Sequence, residues 1–343
     1  MGFIHFNTTH KTRFDTFILL FLVMLILNRE HIKKSISVLD AVKSIEDSLI
    51  AQESGNFEMP DRTHIAFGGN VLLIMPAFGG EFISTKLVSV FPDNNVKGIP
   101  SIFGSLFLSD AQTGKPLALL EGSMLTSLRT GAVGGLGVAY TTPKNATTLG
   151  LIGAGQQGFH QVLFAAFVRQ ITQVIVYDPY IKHIDKFTGE LQNLLPHIRF
   201  VVAKNVEECI RNSEVIVTAT TSEKPVVPDE PDLLRGKHFI GIGSYKPYMR
   251  EFPDGLFSLI QEVVVDTPYA KKETGDLKLP LEQNLIEEDR IFTLGKLINT
   301  TNTIDTKRTT FFKSVGMALF DLFMAKTIYK NALMKDIGIK VDF

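Results

Sequence analysis

Cysteine is nearly missing: Cys209 is the only one in 343 residues. A lone cysteine excludes an internal disulfide framework and any cysteine-based metal cluster, and it fits a reducing, cytoplasmic setting. Net charge is nearly missing too. Thirty-five Lys and Arg face 36 Asp and Glu, leaving −1, so no basic footprint points to nucleic acid as a partner. Metal-ligand spacing is lacking, because the eight His residues are scattered; no metal is expected. No Ser-His-Asp or Cys-His grouping suggests nucleophilic catalysis. A membrane-length apolar run is also lacking. The run at 17–27, FILLFLVMLIL, holds eleven residues against the ~20 that a spanning helix needs.

That run follows Lys11 and Arg13, as in an export signal, yet no small-residue cleavage pattern comes after it. The favoured reading makes Met24 the start of the folded chain, with MLIL as its first buried strand and residues 1–23 an apolar extension outside the fold. An export or membrane signal and an ordinary buried segment are the alternatives.

What the chain does contain is ordinary globular material, 45% apolar and 21% charged, with length for about two domains. Ser37 and Asp40 make a capping box ahead of Val38, Ala41, Val42, Ile45 and Leu49 at helical spacing. After Pro60, short β-rich runs at 64–67, 71–75, 86–90, 103–108 and 116–120 are punctuated by Gly, Pro and Asn. A helix rich in small residues, suited to close packing, is predicted over 121–140. Strands are then predicted at 148–152, 173–177, 199–202, 214–218, 238–242 and 262–265, with helices at 157–169, 181–195 and 206–212. That alternation predicts a parallel, doubly wound sheet. After Asp305 one long amphipathic helix is predicted to close the chain.

The first strand of the alternating region runs into Gly153-Ala154-Gly155-Gln156-Gln157-Gly158, and Asp178 ends the second strand twenty residues after Gly158. Each part has a reason. Gly153 permits the tight turn, Gly155 lets a pyrophosphate come close to the backbone, and Gly158 lets the helix pack on the sheet. The helix N-terminus offers free N–H groups and partial positive charge to phosphates. Strand, glycines, helix, strand and acid in this order predict a dinucleotide site. Asp178 suits a ribose 2′-hydroxyl and repels a 2′-phosphate, so of NADH and NADPH the former is favoured. Thr218, Thr220 and Gly243 lie at strand ends that face the ligand crevice of such a sheet. The expected fold is α/β: a central Rossmann-type domain over 141–309, and a second α+β substrate and dimerisation domain built from both chain ends, 24–140 and 310–343.

From Met24 to the C-terminus the sequence resembles the ornithine cyclodeaminase and μ-crystallin family. The marks are MPDR at 59–62, LIMPAF at 73–78, TKLVSVFP at 85–92, DAQTGKPLALLEG at 110–122, LTSLRTGA at 125–132, ETGDL at 273–277 and FKSVGMALFD at 312–321. The resemblance implies a homodimer. It also implies that Arg62, Lys86 and Arg129 bind a substrate carboxylate, a role that suits fork-shaped guanidinium groups. Arg129, Ser101 and Thr130 match positions near the cofactor, Ser314 a serine near the nicotinamide, and Glu273 a substrate-side acid. In the family's cyclodeaminases an aspartate follows the glycine pair after the 238–242 strand; here Tyr245 stands in its place. A phenol gives up its proton only well above neutral pH and is a poor general base.

The stretch GSYKPYMRE at 243–251, a GSxxPxxxE pattern, resembles instead the family's ketimine reductases. The expected reaction is the NAD(P)H-dependent reduction of a cyclic imino acid, Δ1-pyrroline-2-carboxylate to L-proline, with Δ1-piperideine-2-carboxylate to L-pipecolate second. Lys86 is the candidate proton source. The alternatives are a cyclodeaminase or amino-acid dehydrogenase of the same family, and a non-catalytic nucleotide-binding protein.

Overall fold

The computed structural model describes residues 23–300 and 303–342. The proposed extension, save Val23, lies outside the described residues. The chain divides into two compact units: one holds residues up to Ile36, Glu58–Leu125 and from Ala325 on, the other Ser37–Phe57 and Thr126–Met324. Of the four boundaries, 125/126 and 324/325 fall inside the helices Gly122–Thr141 and Ala318–Met334, where the sequence predicts 140/141 and 309/310, and 36/37 and 57/58 set the segment Ser37–Phe57 with the second unit.

The first unit is built on a mixed sheet. Its strands are β1 (Val23–Leu27), β2 (Phe57–Glu58), β3 (Thr63–Phe67), β4 (Asn70–Gly79), β5 (Phe82–Val90), β6 (Ile102–Asp110), β7 (Pro116–Glu121) and the chain's last strand, Ile339–Asp342. The order is last strand–β1–β7–β6–β5–β4–β2, and β3 also pairs with β4. MLIL is the expected buried strand: Leu25 and Leu27 are buried, and β1 runs parallel to β7 with Leu25 opposite Ala118. Side chains alternate across a strand, so Phe82, Ser84 and Lys86 of β5 share one buried face with Met75 and Ala77 of β4 and Leu106 and Leu108 of β6. The opposite face is exposed and apolar: Ile65 and Phe67 on β3, Leu72 and Phe78 on β4, Leu87 on β5 and Phe103 on β6.

The second unit holds β8 (Thr148–Ile152), β9 (Gln173–Tyr177), β10 (Arg199–Val202), β11 (Val215–Thr218), β12 (His238–Gly241), β13 (Val263–Val265), β14 (Ile291–Thr293) and β15 (Thr310–Lys313). All are parallel, in the order β10–β9–β8–β11–β12–β15–β13–β14. The chain direction across the sheet reverses between β8 and β11, the switch point at which such sheets bind ligands. The helix Val38–Ser54 starts at the expected capping box, with Ser37 Oγ accepting from Asp40 N at 3.1 Å. The close packing expected of the Gly122–Thr141 helix is also present. A Cβ at Gly131 would lie 2.5 Å from the Phe164 ring, and one at Gly135 would lie 3.1 Å from Phe164 Cβ.

One expectation fails. The segment after Asp305 is not one helix. Thr310–Lys313 is β15, hydrogen-bonded between β12 and β13, and the helix begins only at Ala318 after Gly316 turns the chain at φ +76°. Nor is the helix amphipathic at its start, where Ala318–Leu322 are all buried. An apolar run buried on every side has no period that separates strand from helix, and pairing with two sequence-distant strands decided it.

Candidate active site

The second unit builds the site around the glycine loop. β8 delivers the chain to Gly153, which adopts φ +101° and donates its N–H to Tyr177 O at 3.0 Å. A Cβ there would meet Ala219 O at 2.8 Å, so the loop packs directly on the turn after β11. Gly155 is the N-cap of the helix Gln156–Val168 and no side chain caps that end. Among the described residues nothing lies within 4 Å of where its Cβ would stand, so this uncapped helix start is open on the Gly155 side. A Cβ on Gly158 would collide with the Gly153 carbonyl oxygen.

Asp178 anchors this loop. Its Oδ2 accepts from Ala154 N at 2.9 Å, while Oδ1 accepts from Tyr180 N at 2.9 Å and Ile181 N at 3.2 Å. Three donors fix the carboxylate at the end of β9, and carboxylate oxygens retain acceptor capacity beyond that. Among the described residues three buried polar atoms of this region have no hydrogen-bond partner: Gln157 Oε1, Thr130 Oγ1 and Thr218 Oγ1. Buried polar atoms ordinarily find partners. The open cradle at Gly155 and these atoms therefore fit a dinucleotide, with its phosphates and hydroxyls.

The turns after β11 and β12 are held by a residue that the sequence reading left without a role. Glu251 is fully buried and accepts from Thr220 N (2.7 Å), Thr220 Oγ1 (2.9 Å), Gly243 N (2.8 Å) and Ser244 N (3.1 Å). Lys313 Nζ, also fully buried, lies 3.8 Å from Glu251 and 3.4 Å from Asp276. Asp276 in turn accepts the N–H groups of Glu251 and Phe252. Burial pushes the Glu251 carboxyl up, opposed by Lys313 and reinforced by Asp276.

A second buried network surrounds Arg129. Its Nε lies 3.2 Å from Asp321 Oδ1, and its guanidinium lies against Gly316, where a Cβ would collide with it. Asp266 accepts from Ser314 Oγ (2.7 Å), Val315 N (3.1 Å) and Gly316 N (2.7 Å). Burial raises the Asp266 carboxyl, against the pull of these donors and of Arg129. Arg129 and Ser314, far apart in sequence, thus share one network. Glu273 is half-buried, one residue before Thr274, which caps the helix Gly275–Glu282. Tyr245 is half-buried, with Lys246 Nζ 5.7 Å from its ring centre.

The first unit carries the other predicted residues. Lys86 is 2% exposed, flanked across β5 by Met75 and Leu106. Arg62, half-buried, lies one residue before β3. Ser84 Oγ, two residues before Lys86 on the same buried face, has no hydrogen-bond partner among the described residues. Ser101 precedes β6, its hydroxyl donating to Pro92 O at 3.4 Å.

Glu251, Asp276, Lys313, Asp266, Asp321 and Ser84 have no site role in the sequence analysis. Four carry a signal: Glu251 ends the GSxxPxxxE stretch at 243–251, Asp276 lies in ETGDL, and Lys313 and Asp321 are charges inside the apolar FKSVGMALFD, where burial demands a partner. Among the described residues no cluster of three or more His, Cys, Asp or Glu is placed to hold a metal ion, and no helix is long and apolar enough to cross a membrane.

Comparison with known proteins agrees with this geometry. A Δ1-pyrroline-2-carboxylate reductase of Bacillus cereus is 37% identical over 83% of this chain and 89% of its own length. The solved structure of Thermococcus litoralis Δ1-pyrroline-2-carboxylate reductase in complex with NADH and L-proline superposes with a TM-score of 0.86 at 32% identity, covering 93% of this chain and all of that one. An archaeal alanine dehydrogenase dimer with bound NAD superposes equally well, TM-score 0.86 at 30% identity, over 94% of this chain and all of its own. The model of the ornithine cyclodeaminase/mu-crystallin family matches residues 23–336, nearly the whole described chain, and it is to this family that the protein belongs.

Proposed function

We infer that this protein is an oxidoreductase acting on C=N bonds, which reduces Δ1-pyrroline-2-carboxylate to L-proline with NADH or NADPH. The observation that carries this is the 37% identity, over 83% of the chain, to a reductase of that name. The open glycine cradle beside Asp178 supports it, and the Asp178 carboxylate favours NADH, because a 2′-phosphate next to it would be repelled. A bound reduced nicotinamide supplies the hydride that the imine carbon accepts.

The chain's own residues do the rest. Arg62, Lys86 and Arg129 bind the substrate carboxylate, and fixed orientation supplies much of the rate. Lys86 Nζ delivers the proton to the imine nitrogen, because an iminium takes hydride far more readily than a neutral imine. Glu273 is the substrate-side acid. Gly153, Gly155, Gln156, Gln157, Gly158, Thr218, Thr220 and Gly243 hold the cofactor, with Ser101, Arg129, Thr130 and Ser314 as further contacts. The six-membered Δ1-piperideine-2-carboxylate is the second substrate.

The exposed apolar face of Ile65, Phe67, Leu72, Phe78, Leu87 and Phe103 is the kind of surface that monomers rarely leave bare. It supports a homodimer, the state in which the archaeal alanine dehydrogenase is described. The buried Cys209 is compatible with a cytoplasmic site of action. Likeness to that alanine dehydrogenase favours amino-acid dehydrogenation as a second reading, whereas Tyr245 in place of the aspartate argues against cyclodeamination.

The test is oxidation of NADH, and separately of NADPH, with five- and six-membered cyclic imino acids, with pyruvate plus ammonia, and with ornithine assayed for ammonia release. Fastest turnover of Δ1-pyrroline-2-carboxylate with NADH is expected. Preferred turnover of pyruvate plus ammonia, or release of ammonia from ornithine at a comparable rate, refutes the assignment.

A further inference from the structure

We propose that Glu251 is a positioning residue for the cofactor: its carboxylate staples together the two turns that form the floor of the dinucleotide crevice. This rests on the dinucleotide reading of the glycine loop. The turns after β11 and β12 carry Thr220 and Gly243, and they touch backbone to backbone, because a Cβ at Gly243 would collide with Thr220 N and O. Two turns in such contact lack room for a side chain between them, yet each presents N–H groups that the parallel sheet no longer pairs. Glu251 answers both turns from one point. Oε1 takes Thr220 N and Oγ1, and Oε2 takes Gly243 N and Ser244 N.

The carboxylate itself is held in place. Asp276 fixes its backbone N–H, Lys313 Nζ balances its charge from 3.8 Å, and its backbone carbonyl accepts from Val226 N and Val227 N at 2.9 and 3.2 Å. Asp276, Val226 and Val227 meet Glu251 at its backbone and Lys313 meets it by charge, while the four bonds that its carboxylate accepts end on the two turns. Their arrangement therefore acts through Thr220 and Gly243, keeping the crevice formed before ligand arrives, which lowers the ordering cost of binding.

A neutral amide separates stapling from mere support. Glu251→Gln keeps the side-chain volume but turns one acceptor oxygen into a donor, so it can serve one turn and must confront the other. Amide hydrogen exchange of the ligand-free protein is expected to speed by at least about tenfold at Thr220 or at the Gly243–Ser244 pair. Val226 and Val227, which bond the backbone of the same residue, should stay protected. NADH titration is expected to show a Kd raised on the order of tenfold, as two unpaired buried donors imply, under conditions where circular dichroism shows the variant folded.

Lys313→Met serves as the second variant: it removes the counter-charge while leaving all four accepted bonds, and should change NADH affinity less than Glu251→Gln does. Equal loss of protection at Val226 and Val227 would mean local unfolding and overturn the staple, as would an NADH affinity equal to that of the unaltered protein. Failure of the unaltered protein to bind NADH would overturn the dinucleotide reading itself, a different result.

Discussion

Alanine at Gly155 and at Gly158 probes two different demands on one loop. At Gly158 the added methyl would meet the Gly153 carbonyl oxygen well inside 3.0 Å, with Leu151 Cδ1 at 3.3 Å on another side. Backbone cannot yield as a side-chain tip can, so the strain of an overpacked site, roughly 1–3 kcal/mol, applies. At roughly 2–4 °C per kcal/mol for a domain of this size, the ligand-free midpoint should fall by about 2–12 °C.

At Gly155 the methyl meets no atom of the described residues within 4 Å, and φ −87°, ψ −169° suits any residue. Alanine is a worse N-cap than glycine by up to about 1 kcal/mol. It also recovers about 0.4–1 kcal/mol by restricting the unfolded chain. These nearly cancel, leaving a midpoint within about 2 °C of the starting value. The methyl nonetheless occupies the space a pyrophosphate would take, so NADH affinity should drop by about tenfold or more. Thermal unfolding without cofactor, followed by NADH titration on both variants, makes the comparison. An unchanged Kd in Gly155→Ala would show that no phosphate lies on this loop, and an unchanged midpoint in Gly158→Ala would refute the packing.

Arg129→Lys keeps a charge beside Asp321 but loses the fork. Steady-state kinetics at saturating NADH should show kcat/KM for the imino acid reduced roughly tenfold to a hundredfold, and normal kinetics would remove Arg129 from the carboxylate site. His238 is buried, and its Nδ1 lies 3.0 Å from the Thr310 hydroxyl, which itself donates to Thr141 O. Burial lowers its pKa to about 4. A folded pKa below the unfolded one gives stability that is full above about pH 6.5 and lost as the pH falls toward 4. Denaturant unfolding across that window should therefore be less pH-dependent in His238→Gln. Phe67 is 85% exposed on the apolar face of the first unit's sheet. Phe67→Glu should sediment as a monomer if that face joins two copies, and an unchanged dimer would locate the interface elsewhere.

The elements most legible in the sequence were those whose signal is local. β8, β9 and β10 lie where strand, glycine and helix signals placed them, because each strand is a short apolar run closed by a turn residue. The Ser37 capping box is equally local, a matter of three residues. Arg129 and Ser314 were legible only through family resemblance, and their shared network through Asp266 and Gly316 was invisible because it joins segments almost two hundred residues apart.

By itself the sequence determined the parallel alternating sheet, the glycine loop with Asp178 after the next strand, the buried first strand at MLIL and the absence of a cysteine scaffold. All of these follow from residue order within a few turns of chain. Only the tertiary structure decided that FFK is a strand, since Phe312 is claimed by Ile240 on one side and Val264 on the other. It alone gave Glu251, Lys313 and Asp276 their common purpose. A buried charge is tolerable only beside its partner, and no local pattern says which distant residue that partner will be.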